Sequence, residues 1–289
     1  MPPKFKKFPL PPLFLFDGFD PKTVYQMVPV RDKREMGVIT DSSDCLLRIE
    51  DPAVASMANF RSSFGPLPTP SLTVDQFQLP KNSRVAFSIL GKSVGHTELH
   101  LEEQNGAVQD LLLVSVKNKV TKQFSLCFLS DSLRSTTRPK ADAVAIMGPV
   151  ASVYLNQANL ELKLLGQPTD VSVARNLGNP IRPSTPGVVR DIISATPGSL
   201  FRGDVVIYCC WDVEDSRTLG VTRGQVCFVE DGGAPTDFEV RFVFGHEVGH
   251  ALGLDHNGSF DHLMFATTAS RSSKLSQFEI DTINQTGLV

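Results

Sequence analysis

One eleven-residue run constrains this chain more than any other: His246-Glu247-Val248-Gly249-His250-Ala251-Leu252-Gly253-Leu254-Asp255-His256. On a helix, residues four apart share a face, so His246 and His250 can aim two imidazoles at one metal ion. Gly253 admits the backbone conformation that ends a helix and turns the chain, which returns His256 as a third ligand. Three protein ligands leave a fourth tetrahedral position to water, the arrangement of a catalytic zinc and not of a structural one. Glu247, next to the first ligand, can take a proton from that water.

A lone H-E-x-x-H arises by accident in many helices; the added glycine and third histidine remove most of that ambiguity. Four of the chain's six histidines, His246, His250, His256 and His262, fall in this one stretch. A closed structural site would need a fourth protein ligand, and Asp255, Asp261 and His262 are the near candidates. Asp255 reads as a local hydrogen-bonding or loop-orienting residue, and Asp261 and His262 as exposed turn residues.

The motif, followed by Leu263-Met264, resembles the metzincin clan of zinc endopeptidases. The resemblance implies Zn2+ on His246, His250 and His256, Glu247 as the catalytic base, and Met264 in a methionine turn that floors the metal. An ordinary core methionine is the alternative for Met264. Two positions depart from the pattern. Asn257 follows the third ligand and assigns no subfamily. Phe265 follows the methionine, so the tyrosine that some members carry there is absent, which leaves zinc, Glu247 and backbone groups to stabilise the transition state.

Periodicity supplies the surrounding elements. Strands are expected over 124–129, 160–165, 204–210 and 226–229. A helix is expected over 139–157, with Ile146, Val150, Val153 and Tyr154 as its stripe and a kink or late start at Gly148-Pro149. The motif helix should span about 236–252 and a last helix about 274–285. That order resembles a metzincin catalytic domain, in which the strand before the motif helix edges the cleft and takes extended substrate by strand addition. Here that strand would be 224–230.

A chain of 289 residues suits two domains. Residues 1–21 read as a Pro-rich leader whose lysines, Lys4, Lys6 and Lys7, form a solvated tail. Residues 22–120 read as an all-β domain: Val85, Phe87 and Ile89 alternate with polar or small neighbours, as do Thr97, Leu99 and Leu101, and Leu112, Val114 and Val116. Asn105-Gly106 is its best hairpin signal. The pieces Glu50-Asp51-Pro52-Ala53-Val54-Ala55, Gly95-His96-Thr97-Glu98-Leu99 and Leu113-Val114-Ser115-Val116 resemble a bacterial immunoglobulin-like domain. That likeness implies a spacer or docking unit with His96 and His100 on its surface. The expected fold is therefore α+β: an N-terminal all-β immunoglobulin-like sandwich followed by a metzincin-like α/β zinc-protease domain over 121–289.

Net charge of −3 and a pI near 6.1 give no electrostatic case for nucleic acid or an anionic membrane. No apolar stretch is long enough to span a bilayer. Residues 1–16 run from basic to apolar as a secretory signal does, but Pro9, Pro11 and Pro12 interrupt them and no cleavage site follows. Export or delivery outside the producing cell is expected to use a route without a cleaved signal, with a cytoplasmic location as the alternative. Five cysteines, Cys45, Cys127, Cys209, Cys210 and Cys227, are an odd number without zinc spacing. Cys127, Cys209 or Cys210, and Cys227 read as buried small hydrophobes on strands of one sheet, and a zinc-blocking role is conceivable for Cys45, though no surrounding motif supports it. The Pro/Gly-rich stretch 166–203 reads as a long functional loop, ordered only near 188–193. Glu230-Asp231-Gly232-Gly233 reads as a solvated turn, with a Ca2+ site as the alternative.

The function expected is hydrolysis of a protein or peptide substrate by zinc. The alternatives are a protease toxin delivered into another cell, or a binding or adhesive protein with a vestigial zinc site. An intact Glu247 weighs against the last, since nothing structural requires an acid there. The sequence leaves an inhibitor or immunity partner open.

Overall fold

The computed structural model describes residues 4–6, 19–20, 25–40, 43–62, 73–214, 218–231, 237–260, 262–267 and 272–284. The protein is mixed α+β with strands predominating. It divides into two compact units: Met1–Val120 with Asn156–Asn159 and Ser276–Val289, and Thr121–Leu155 with Leu160–Leu275.

The first unit contains β1 (Lys4–Lys6), β2 (Phe19–Asp20), β3 (Tyr25–Pro29), β4 (Lys33–Ile39), β5 (Cys45–Ile49), β6 (Ala55–Ser62), β7 (Gln76–Leu79), β8 (Arg84–Gly91), β9 (Gly95–Glu103) and β10 (Val108–Lys117). They form two sheets, ordered β1-β4-β8-β6 and β2-β3-β10-β9-β5-β7. Met36, Val38, Phe87 and Ile89 from one sheet and Leu47, Leu99, Leu112 and Val114 from the other share a single apolar cluster. Phe60 of β6 stacks on Phe77 of β7, with ring centroids 3.7 Å apart, so the sheets close face to face as a sandwich. Each such side chain contributes about 1.5–3 kcal/mol by leaving water. The Asn105-Gly106 turn joins β9 to β10 as an antiparallel pair.

Three expectations for this unit change. Lys4 and its neighbours are not a free tail, since β1 pairs antiparallel with β4 and Phe5 is buried in the core. Most of the remaining 1–21 stretch, Lys7 included, lies outside the described residues. His100 is buried, not superficial, because Glu98, Glu102 and Arg48 surround its ring. Cys45 lies in the sandwich core, where burial pushes its thiol pKa up.

The second unit contains β11 (Val120–Ser130) from Thr121 on, α1 (Lys140–Ala158) as far as Leu155, β12 (Leu160–Leu164), β13 (Thr169–Ser172), α2 (Val188–Ala195), β14 (Val205–Cys210), β15 (Gly220–Arg223), β16 (Val226–Glu230) and α3 (Asp237–Ala251). Its sheet runs β12-β11-β14-β16-β15, with β13 beside β11. The β11, β14 and β16 neighbours are parallel, and β15 is antiparallel to β16. Every residue of β14 is buried, as in a parallel strand covered on both faces. All five cysteines are buried and free, and burial pushes the Cys127 and Cys209 thiols up to about 12, which keeps them inert.

Helix α1 begins at Lys140 and runs through Gly148-Pro149, so the late start expected there does not occur. The stretch 166–203 is not a bare loop. It holds β13, α2 and a 3-10 turn, Gly198–Arg202, and its Val171, Val173, Leu177, Ile181, Ile192 and Leu200 are buried against the sheet. The cleft-edging strand also moves. The 224–230 stretch supplies β16, an interior strand, and the antiparallel edge belongs to β15.

The last helix, α4 (Gln277–Asn284), starts with a reciprocal cap in which Ser276 N–H donates to Glu279 Oε2 and Glu279 N–H donates to Ser276 Oγ. The sequence placed it at the end of the catalytic domain; its contacts fall in the first unit. Ile280 and Ile283 are buried while Phe278 is exposed. Asp281 meets the buried Lys117 at 2.5 Å, and Asn284 Nδ2 donates to the carbonyls of Asn118 and Ala158.

Removing one partner of that ion pair strands the other charge in a dry environment. Asp281→Ala should cost about 3–5 kcal/mol, read as a lower urea midpoint. The double change Lys117→Met with Asp281→Leu should recover most of it.

Candidate active site

Helix α3 places His246 and His250 one turn apart, with their Nε2 atoms 3.0 Å from each other. His256 Nε2 lies 3.2 Å from His246 Nε2. The approach follows from how α3 ends. Gly253 N–H donates to His250 O, Leu254 N–H donates to Gly249 O, and Gly253 has φ +94°. This pair of bonds is a Schellman motif, which only a residue at ease in the left-handed region completes cheaply. It turns the chain so that His256 comes back toward the helix.

The same turn orients one of the imidazoles. His250 Nδ1 donates to Leu254 O at 2.7 Å, and His246 Nδ1 donates to Leu263 O at 2.9 Å. A carbonyl only accepts, so Nδ1 of each ring carries the proton and each Nε2 presents a lone pair. Two lone pairs 3.0 Å apart repel unless a cation lies between them. Zinc with N ligands at about 2.05 Å in a tetrahedron would separate those nitrogens by about 3.3 Å. The donor set and its spacing therefore fit zinc. Among the described residues, neither His262 nor Asp255 joins this cluster; His262 is buried beside Asn257, and Asp261 lies outside the described residues.

Met264 is fully buried beneath the motif helix. A Cβ on Gly249 would meet Met264 Sδ at 2.5 Å and Tyr154 Oη at 3.0 Å, so the helix can approach this floor only with glycine there. Tyr154 of α1 donates to Gly245 O at 2.6 Å, tying a second helix to the same spot. Asn257 N–H donates to Met264 O, which links the segment carrying His256 to the methionine turn.

Glu247 is buried and lines a cleft of about 570 Å³ together with the three histidines, Asp255 and β15. Thr222 Oγ1 is 2.7 Å from Glu247 Oε2. Thr222 and Gly220 are site residues that the sequence reading missed. Their four-residue strand has no apolar alternation to announce it, and their partner is 25 positions away in the chain from Thr222.

At the far end of β16, burial and the neighbouring Asp212 carboxylate push Glu230 up to about 7. Asp231 is engaged by Thr136, Thr137 and Arg138, so its carboxylate already has partners. Gly232 and Gly233 lie outside the described residues.

Residues 195–286 match the matrixin peptidase family, over less than half of the chain. The match supports a metzincin-like zinc protease. No curated protein matches the chain. Among solved structures the chain is similar to a zinc-dependent peptidase from Methanocorpusculum labreanum, at 10% identity and TM-score 0.37, over 57% of this chain and 100% of that one. It is also similar to a laccase-like multicopper oxidase from Ochrobactrum sp. (11% identity, TM-score 0.24, 35% of this chain and 28% of that one). A multicopper oxidase from Campylobacter jejuni gives 13% identity and TM-score 0.24, over 38% and 28%. At these scores the structural likenesses carry no argument about the site.

Two outcomes follow. Gly249→Ala should force α3 off Met264, lowering stability by about 1–3 kcal/mol in chemical denaturation and weakening zinc retention against a chelator. Glu230 has a folded pKa above the unfolded 4.5, so its stabilisation is complete below 4.5 and is lost as pH rises through about 7. The stability of wild type relative to Glu230→Gln should therefore fall across that window, as urea titrations at several pH values would show.

Proposed function

We propose that this chain is a zinc-dependent endopeptidase with Glu247 as general base. The observation that carries the reading is the convergence of three imidazole Nε2 atoms beside a buried carboxylate in one cleft. The family match over 195–286 supports zinc-dependent proteolysis in general. His246, His250 and His256 would hold the zinc, whose Lewis acidity would acidify a water and polarise the scissile carbonyl.

The chain's own residues do the rest. Glu247 takes the proton from the attacking water and passes it to the departing amine nitrogen, so the same carboxylate serves both halves of the reaction. Met264 and Gly249 hold the ligand helix at its working depth. The edge strand β15 lines the cleft, and its backbone offers an extended peptide a strand to pair with. Phe265 has no hydroxyl to lend, so no tyrosine at that position assists. The sandwich of the first unit serves as an immunoglobulin-like spacer or docking module.

A binding protein with a vestigial site is the rival reading. The buried, hydrogen-bonded Glu247 favours the enzyme, because burying a carboxylate costs stability that metal binding alone does not require. The zinc-loaded chain should cleave an unfolded protein, and Glu247→Gln at equal zinc content should be slower by about 10²–10⁴-fold. Retained activity in Glu247→Gln would remove the general-base role. Inactivity of the zinc-loaded wild type would favour the binding reading.

A further inference from the structure

We propose that Thr222 is the positioning residue for Glu247, and that β15 is built to hold the base as well as to wall the cleft. The inference rests on the endopeptidase reading and assigns that reaction a residue from outside the motif.

An ionised carboxylate only accepts hydrogen bonds, so Thr222 Oγ1–H donates to Glu247 Oε2 at 2.7 Å. The same Oγ1 is 3.1 Å from the backbone carbonyl of Glu247. One hydroxyl thus touches both ends of one residue, its main chain and the tip of its side chain. Cys227 on β16 adds its thiol to that carbonyl, with Sγ 3.2 Å away.

Thr222 and Gly220 are two apart on a strand and face the same side. Gly220 leaves that side empty where the base lies. A Cβ there would meet Glu247 Cγ at 2.7 Å, Oε1 at 2.9 Å and Cδ at 3.0 Å. One face of β15 therefore presents a notch and a hydroxyl, with the Glu247 side chain between them. The register Gly220↔Val229 and Thr222↔Cys227 fixes both positions against β16. Thr222 is β-branched and stiff at χ1, which keeps its hydroxyl aimed. A glutamate has three side-chain torsions, so a base without this anchor would sample positions away from the reacting water.

The test uses the full zinc-loaded chain and three variants, Thr222→Val, Thr222→Ser and Gly220→Ala, with a quenched peptide as substrate. Thr222→Val keeps the shape and removes the hydroxyl; it should lower kcat by about 10- to 100-fold with KM and bound zinc unchanged. Thr222→Ser should restore most of the lost kcat, and Gly220→Ala should lower kcat by crowding the carboxylate. Crystal structures of the metal-free chains give a second readout, with Glu247 held at β15 in wild type and Thr222→Ser and displaced in Thr222→Val. Wild-type kcat in Thr222→Val overturns the proposal, as does a serine variant no better than valine. A loss shared between kcat and zinc content also overturns it, since that marks a merely structural role. If the zinc-loaded wild type is itself inactive, the endopeptidase reading fails, and the metal-free structures still decide whether Thr222 holds Glu247.

Discussion

Nitrogen lone pairs 3.0 Å apart repel, so the histidine cluster must be held together by bonds from elsewhere, and those bonds come from the chain just past α3. Leu254 O, reached through the Gly253 turn, fixes the His250 ring; Leu263 O, beside the methionine, fixes the His246 ring. The turn that ends the helix thus delivers the third histidine of the cluster and orients the second. The methionine turn orients the first while supporting the helix from below. Loss of one backbone conformation at Gly253 would disturb ring orientation as well as ligand count.

Below this cluster, close packing takes over. Tyr154 on α1, Gly249 on α3 and Met264 meet within van der Waals range, and each leaves room that the others fill. This explains why two glycines sit inside α3 despite their cost to helix stability. Gly249 lets the floor approach, and Gly245 faces Leu263 at a distance a side chain would strain. Ligand geometry and core packing are here the same contacts, so neither can be altered alone.

How much could be read in advance depended on sequence distance. The histidine cluster and the carboxylate beside it were legible because helix spacing, one glycine and a short return loop place them within eleven residues. Long strands with alternation, β8 to β10, and the buried run of β14 were legible for the same local reason. What lay hidden was set by partners far away in the chain. The strand β15 carries one glycine and no apolar rhythm, and its meaning comes from Glu247. The stretch 166–203 scatters its apolar residues among prolines, so only the folded sheet shows that Val171, Ile181 and Ile192 share a core. His100 looked superficial because its ring partners come partly from β5, a neighbour that only sheet order reveals. Alternation over β8 to β10 conveyed an all-β unit but neither its strand order nor the helix that completes it.

That helix has a consequence for how the protein is made. The first unit draws on segments that precede and follow the second, since α4 brings Asp281 to Lys117 and Asn284 to Asn118 across some 160 positions. A nascent chain emerges from its N-terminus, so the sandwich strands appear before the second unit, but the ammonium of Lys117 waits for its partner until all of that unit has followed. Biosynthetic order therefore runs against domain order: the first unit is begun before the second and completed after it.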